Sequence, residues 1–362
     1  MKVVFRTDAS MHIGSGHVVR CLTLADELAR RNAHCLFVCR PLPGHMIDYI
    51  RGRGYEVMVL PYTEADSAES TIKSGTSYEH LLGVHWAIDA EQTKSLLSSA
   101  DTDWLIVDHY AIDSRWEIDL EPKFGKLLAI DDIANRPHIA DVLLDQNYND
   151  RNRYLGLVPR DSVLLLGPDY ALIRPEYAEF RAQRPELADS VKKRVFVYFG
   201  GSDSNDLTGK TIEALSYPEV INLDVDVVVG ANYLYFERLN SLALSRGRTR
   251  IHEPRLHLAD LMSQADIAVG AGGVTNWERI CIGLPSLVVT LADNQIPISR
   301  ILHELGVIDL IGQSVSIDVE AIRQALQVEI RTGRIRSKRM EALALCDGLG
   351  VQRVAEVLLT SR

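Results

Sequence analysis

Two glycine-bearing stretches of this chain carry residue types suited to chemistry on a nucleotide-linked ligand. The first, Asp8-Ala9-Ser10-Met11-His12-Ile13-Gly14-Ser15-Gly16-His17, leaves a short β-branched run and delivers a histidine to the start of an amphipathic stretch. At a helix start the macrodipole opposes a positive ring, so a neutral imidazole able to accept a proton is expected at His17. That suits a general base, and a capping or packing histidine is the plain alternative. His12 is a weaker competitor, because it precedes the glycine turn rather than opening the helix. Gly14 and Gly16 would let backbone amides approach a ligand, although a tight strand-to-helix turn needs glycine for steric reasons alone.

The second stretch is Gly270-Ala271-Gly272-Gly273-Val274-Thr275-Asn276-Trp277-Glu278, a strand end, a glycine-rich loop and a helix start. The free N–H groups of a first helical turn hold a diphosphate. Glu278, one turn in, is placed to accept two ribose hydroxyls, or merely to complement the helix dipole as any first-turn acid does. Gly201 and Ser202, after Phe199-Gly200, offer a further loop at the same kind of edge. Asn294 and Gln295 carry amides able to read sugar hydroxyls and acetamido groups, with an N-cap role as the plain alternative for Asn294. Asp108-His109-Tyr110 closes another strand, and Tyr110 is read as lining a cleft or simply packing.

These loops need strands and helices to hold them. From Met1 to about Leu144, short apolar runs at Val3–Thr7, Cys35–Cys39, Val57–Leu60, Trp104–Asp108 and Leu127–Asp131 alternate with helical stretches. That is the pattern of a parallel sheet with crossover helices. Between the first two runs, Val18, Cys21, Leu22, Ala25, Leu28 and Ala29 form one apolar helix face. The alternation restarts at Arg194, with strands near Val225–Val229, Ile267–Val269 and Leu287–Val289 and helices beginning near Ser204, Gly273 and Asn294. The expected class is α/β with two Rossmann-like domains. The expected boundaries are 1–150 for the N-terminal domain, 151–193 for a linker, 194–345 for the C-terminal domain and 346–362 for a C-terminal helix that returns to the first domain.

Composition narrows the classes. The 362 residues, 46% hydrophobic and 24% charged, suffice for two cores. A formal charge of −10 argues against a nucleic-acid footprint, which needs a basic surface. No apolar run reaches the ~20 residues of a membrane span and no signal-peptide core is seen at the N-terminus, so a soluble cytoplasmic protein with no membrane partner is expected. Cys21, Cys35, Cys39, Cys281 and Cys346 include no CxxC pair and read as buried thiols, and no metal or cofactor is expected. A nicotinamide cofactor is disfavoured because Val19 stands where the dinucleotide fingerprint wants a third glycine and Cys39-Arg40 where it wants an acid.

Arg6 to Ser10, Gly14 to His17, Arg20-Cys21-Leu22, Asp108-His109-Tyr110, Leu166-Gly167-Pro168-Asp169-Tyr170-Ala171-Leu172-Ile173-Arg174-Pro175-Glu176 and residues 271–295 together resemble the UDP-2,4-diacetamido-2,4,6-trideoxy-β-L-altropyranose hydrolases of pseudaminic acid biosynthesis and the related spore-coat polysaccharide proteins. The likeness runs to about Ile311 and is most specific at Trp277-Glu278-Arg279 and Leu284 to Val289. It implies the two-domain GT-B-like architecture of nucleotide-sugar glycosyltransferases, with UDP in the C-terminal domain and the sugar in an interdomain cleft. The resemblance thus makes 1–150 the sugar and catalytic-base domain and 194–345 the UDP-binding domain. It also implies release of free sugar and UDP by water attacking the anomeric carbon with inversion, and His17 as the base. The expected sugar contacts are then Asp8, Gly14, Gly16, Tyr110, Arg174, Asn294 and Gln295, and the expected UDP contacts Gly201, Ser202, Gly272, Gly273, Val274, Thr275 and Glu278. The rivals are a glycosyltransferase of the same architecture, a sugar epimerase, and a nucleotide-sugar sensor without turnover.

Overall fold

The computed structural model describes residues 1–62, 78–97, 102–183, 193–201, 203–255, 257–332 and 334–361. They form two compact units, one of Met1–Leu172 with Leu349–Arg362 and the other of Ile173–Gly348.

The first unit is built on seven strands: β1 (Lys2–Thr7), β2 (His34–Cys39), β3 (Glu56–Val59), β4 (Trp104–Asp108), β5 (Lys126–Ile130), β6 (Val142–Asp145) and β7 (Val163–Leu166). Their spatial order is β3-β2-β1-β4-β5-β6-β7 and every pairing is parallel. A parallel sheet is covered on both faces, which is why β1 and β4 read as near-continuous apolar runs rather than alternating ones. Val3 and Phe5 pack with Val18, Cys21 and Leu28 of the helix Gly16–Arg30, while Val4 packs with Leu105, Ala90 and Trp116 on the other face. Chain direction reverses its march across the sheet between β1 and β4, where Thr7 lies beside Asp108. Loops diverge at such a switch point and leave a crevice at the carboxyl ends of the strands.

The second unit repeats the plan with β8 (Arg194–Tyr198), β9 (Asp224–Val228), β10 (Thr249–His252), β11 (Ile267–Ala271), β12 (Ser286–Thr290) and β13 (Ile308–Gln313), in the order β10-β9-β8-β11-β12-β13. Its switch point lies between β8 and β11, where Tyr198 pairs with Gly270. The Gly200-Gly201 and Gly272-Gly273 loops follow directly.

Residues 151–193 are not a plain linker. The segment contributes β7, the edge strand of the first sheet, and the helix Pro175–Gln183 of the second unit, with the division at Leu172/Ile173. Its stretches rich in arginine, proline and aspartate hid the strand, because β7 is only four residues long at a sheet edge, too short to impose a pattern. The C-terminal region likewise divides. Helices Val319–Thr332 and Ile335–Leu345 stay with the second unit, and Gly350–Thr360 buries Val351, Val354 and Leu358 in the first unit's core, where Trp104 Nε1 donates to Leu358 O at 3.1 Å. All five cysteines are buried thiols. Among the described residues no helix is long and apolar enough to cross a membrane.

A buried ion cluster fixes the segment between β5 and β6. His138 Nδ1 lies 2.5 Å from Glu117 Oε1, with Nε2 3.8 Å from Asp131 Oδ2. Burial alone would discharge the ring, but Glu117 and Asp131 outweigh it and push the imidazole up to about 9. An unfolded histidine titrates near 6.5, so this contribution to stability is complete below about pH 6.5 and is lost as pH rises through 9, on the order of 3 kcal/mol in all. His138→Gln is therefore expected to destabilise the first unit at pH 6 and to flatten the fall in melting temperature between pH 7 and 9. A wild-type slope retained in the variant would refute the assignment.

Candidate active site

Side chains alternate along a strand, and in β4 this sends Leu105 and Val107 to one face and Trp104, Ile106 and Asp108 to the face covered by the helix Gly16–Arg30. On that helix His17 and Arg20 are three residues apart, so both look toward Asp108. Asp108 Oδ1 lies 2.5 Å from His17 Nδ1, and Arg20 grips the carboxylate as a fork, Nε to Oδ2 and Nη2 to Oδ1, each at 2.6 Å. Asp108 is fully buried and His17 6% exposed. Burial would protonate the carboxylate, yet Arg20 and His17 hold it well below the usual carboxylate range. An ionised acceptor at that distance fixes the proton of a neutral ring on Nδ1, leaving Nε2 as the basic nitrogen. The Tyr110 and His17 rings meet in a T-shaped arrangement at 4.5 Å between centroids, and Tyr78 lies tilted against Tyr110 at 5.4 Å. The glycine loop, the helix start and the end of β4 thus converge on one histidine, with Asp108 and Arg20 as partners that a sequence reading leaves without roles. The signal available for them was the i, i+3 pair on a buried helix face beside an acid ending the neighbouring strand.

Two expected ligand residues of this unit serve the loop instead. Asp8 is wholly buried, accepting Arg40 N–H at 2.7 Å on Oδ1 and facing Arg6 Nη1 at 2.8 Å with Oδ2, so no face remains for a sugar. Gly14 adopts φ +78°, and its N–H donates to Ser10 O at 2.8 Å, which makes it a turn residue rather than an amide donor. Gly16 opens the helix, and His12 is exposed.

In the second unit, the helix Thr275–Ile282 starts from a turn in which Asn276 N–H bonds Gly273 O and Trp277 N–H bonds Val274 O. Among the described residues, the N–H groups of Gly273, Val274 and Thr275 have no acceptor, as expected of a helix N-terminus. Gly272 differs from the expectation, because its N–H is spent on Val289 O at 3.1 Å. Its value is closeness: a Cβ there would meet Ser299 Oγ at 2.8 Å and Gln295 Oε1 at 3.3 Å. Gln295 thus lies over the glycine turn, where its Oε1 also accepts Leu291 N–H at 2.9 Å. Asn294 precedes this helix in helical conformation and its side chain forms no capping bond. Gly201 is exposed and packs against Gly230, where any Cβ would strike Gly201 O at 1.9 Å. Ser202 lies outside the described residues.

Glu278 is 5% exposed and already engaged: Arg174 Nη2 donates to Oε1 at 3.2 Å and the Tyr177 hydroxyl bonds the same carboxylate. Burial pushes this acid up, against the pull of Arg174 and Tyr177. Arg174, expected among the sugar contacts, therefore lies in the second unit and is bound to Glu278, expected among the UDP contacts. The neighbouring Arg279 donates to Ala271 O at 2.6 Å and to Asn276 Oδ1 at 2.5 Å, and burial lowers it to about 10. Gly270 has no side chain because a Cβ would stand 2.6 Å from that guanidinium.

No family model matches the chain. Of solved structures, MurG of Acinetobacter baumannii superposes with TM-score 0.64 at 13% identity over 99% of both chains, and UDP-GlcNAc 2-epimerase of Neisseria meningitidis with 0.61 at 14% over 99% of this chain and all of that one (100%). These likenesses establish the two-domain GT-B fold. The spore coat polysaccharide biosynthesis protein SpsG of Bacillus subtilis is 24% identical over 99% of this chain and 98% of its own. The UDP-2,4-diacetamido-2,4,6-trideoxy-β-L-altropyranose hydrolase of Campylobacter jejuni is 30% identical over 280 residues, 76% of this chain and 87% of that enzyme. An identity of that extent, on a fold that carries the expected histidine and glycine loops, places this protein in the UDP-2,4-diacetamido-2,4,6-trideoxy-β-L-altropyranose hydrolase family.

Proposed function

We propose that this protein hydrolyses a UDP-linked 2,4-diacetamido-2,4,6-trideoxy sugar to the free sugar and UDP. The observation that carries the proposal is the 2.5 Å contact between His17 and a buried Asp108 locked by Arg20. His17 Nε2 takes a proton from water as the water oxygen bonds to the anomeric carbon. The bond from that carbon to the diphosphate oxygen breaks with inversion, and its electron pair leaves with UDP. Negative charge grows on the diphosphate during this step, where free amides such as those of Gly273, Val274 and Thr275 and their helix end stabilise it. Asp108 balances the imidazolium that forms, and Glu278, held by Arg174 and Tyr177, offers its remaining acceptor capacity to ribose. The sugar's acetamido groups fall to amide side chains such as Asn294 and Gln295.

A second reading, transfer to an acceptor hydroxyl, is favoured by the full-length likeness to the spore-coat protein, since the same dyad would deprotonate a sugar hydroxyl as readily as water. Product analysis by NMR separates the two. Incubated alone with a UDP-diacetamido sugar, the protein is expected to release UDP and the inverted free sugar; a substrate stable until an acceptor is added would end the hydrolase proposal.

His17→Ala is expected to retain UDP binding by calorimetry and to lose turnover by roughly 10²–10⁴-fold, the usual worth of a placed base. Equal loss of binding and turnover would count against it. Asp108→Asn should leave the imidazole in place with its tautomer no longer imposed, and lower kcat on the order of 10²-fold or more while KM changes little. A wild-type kcat in that variant would mean the dyad is structural.

A further inference from the structure

One carboxylate beside the imidazole is not used by the route above. Asp132 follows β5, the strand hydrogen-bonded to β4, and its side chain is 10% exposed. Its Oδ2 accepts Arg20 Nη1 at 3.0 Å, the edge of the guanidinium left over when Nε and Nη2 hold Asp108. The Tyr110 hydroxyl donates to the same carboxylate, and the Tyr110 ring meets His17 in a T-shaped arrangement. The backbone is pinned as well, because Arg153 Nη2 donates to Asp132 O at 3.3 Å and to Ile133 O at 3.2 Å. Its neighbour Asp131 has a different task, accepting Arg136 Nη1 and the N–H groups of Ile133 and Ala134 as a wholly buried turn anchor. Two adjacent acids thus face different clusters.

We propose that Asp132 is a positioning residue for the His17 base, closing a ring of contacts that runs Asp132, Arg20, Asp108, His17, Tyr110 and back to Asp132. The proposal rests on His17 being the base. Two physical consequences follow from the ring. A guanidinium bonded along both edges cannot swing, so Asp108 cannot rotate away from Nδ1. The charges also count: Asp108 and Asp132 against Arg20 leave one excess negative charge near the ring, which favours the imidazolium formed when water gives up its proton. Of the other groups around the ring, Arg153 is a cation on the backbone side of Asp132 and is paired with Asp145 at 2.8 Å, an acid that burial and Asp132 push up to about 7. Tyr110 is kept protonated by burial and by Asp132, and the adjacent His109 is kept neutral by burial and by Arg6.

The test uses the full-length protein, Asp132→Asn and Tyr110→Phe. Asp132→Asn keeps the shape and removes the charge, so kcat is expected to fall about 10–100-fold with KM within about threefold, and the His17 titration midpoint, followed by ¹⁵N NMR and assigned with a His17→Gln spectrum, to move down by about half to one pH unit. Tyr110→Phe removes only the hydroxyl that ties ring to carboxylate, and a kcat loss of at least about threefold with KM unchanged is expected. Wild-type kcat in Asp132→Asn, a loss confined to KM, or an unmoved His17 midpoint overturns the proposal. Should Asp132→Asn fail to melt cooperatively, an unchanged kcat in Tyr110→Phe overturns it instead. The NMR titration needs no turnover, so it still decides the matter if the wild-type protein proves unable to hydrolyse UDP-sugars.

Discussion

A carboxylate with no exposed surface must find its own counter-charge, and in this protein that requirement organises the active histidine. Removing an ionised group such as Asp108 from water costs several kcal/mol unless charge and hydrogen bonds are restored inside. Arg20 restores both, since its planar fork matches the two carboxylate oxygens at 2.6 Å each. Because Arg20 lies one helical turn after His17, the residue that keeps Asp108 ionised also fixes which helix face meets the end of β4. Replacing that arginine with lysine would keep a charge and lose the fork, a loss felt at His17 both through Asp108 and at the 3.3 Å contact between Arg20 Nη2 and His17 Nδ1.

The second unit solves a similar problem with a different balance. Arg279 is buried at the foot of the glycine loop, yet it bonds a main-chain carbonyl and an amide oxygen rather than a carboxylate, and burial lowers it to about 10. Its guanidinium fastens the end of β11 to the first turn of the following helix, and the space for it exists only because residue 270 is glycine. The loop geometry that leaves the amides of Gly273 to Thr275 without acceptors is therefore held from beneath by a cation, whose charge has the sign to favour an anion above it.

How much of this was legible in the sequence depended on sequence distance. Strands β1, β2, β4 and β8 showed as apolar runs because both sheet faces are covered, and the glycine turns before Gly16 and Thr275 showed as short-range patterns. Strands β6, β7 and β10, four residues each, carried few periods, and the six-residue edge strand β13 is only partly buried and contains Gly312, so it did not stand out as an apolar run. An acid at a strand end such as Asp8 looks like a ligand contact until its partners are known, and Arg6 and Arg40 flank it from its own strand and from the end of β2. The pairing of Arg174 with Glu278 was hidden for the same reason, since the two lie 104 residues apart. The roles of Asp108 and Asp132 come from pairing β1, β4 and β5 in a common sheet, which no local pattern encodes.

The pairing of Asp8 points to a division of labour between two buried charge clusters in the first unit. On the sheet face opposite His17, Arg6 bonds Asp89 at 2.6 Å and faces Asp8 at 2.8 Å, while Arg40 bonds Asp89 at 2.7 Å and gives its own N–H to Asp8. With both acids ionised that cluster is neutral, two cations against two anions, and Trp116 Nε1 completes the bonding of Asp89. It ties the start of the Asp8–Gly16 loop to the end of β2, and Met11 N–H on Pro43 O extends the tie into the loop. A neutral network exerts little field at a distance, so it can hold the loop rigid without biasing the imidazole. The His17 cluster, by contrast, sets two carboxylates, Asp108 and Asp132, against the guanidinium of Arg20. His109, buried and neutral between the two, separates them. One cluster's charges cancel and set position; the other's do not cancel, and an uncancelled negative charge favours a cation on the neighbouring imidazole.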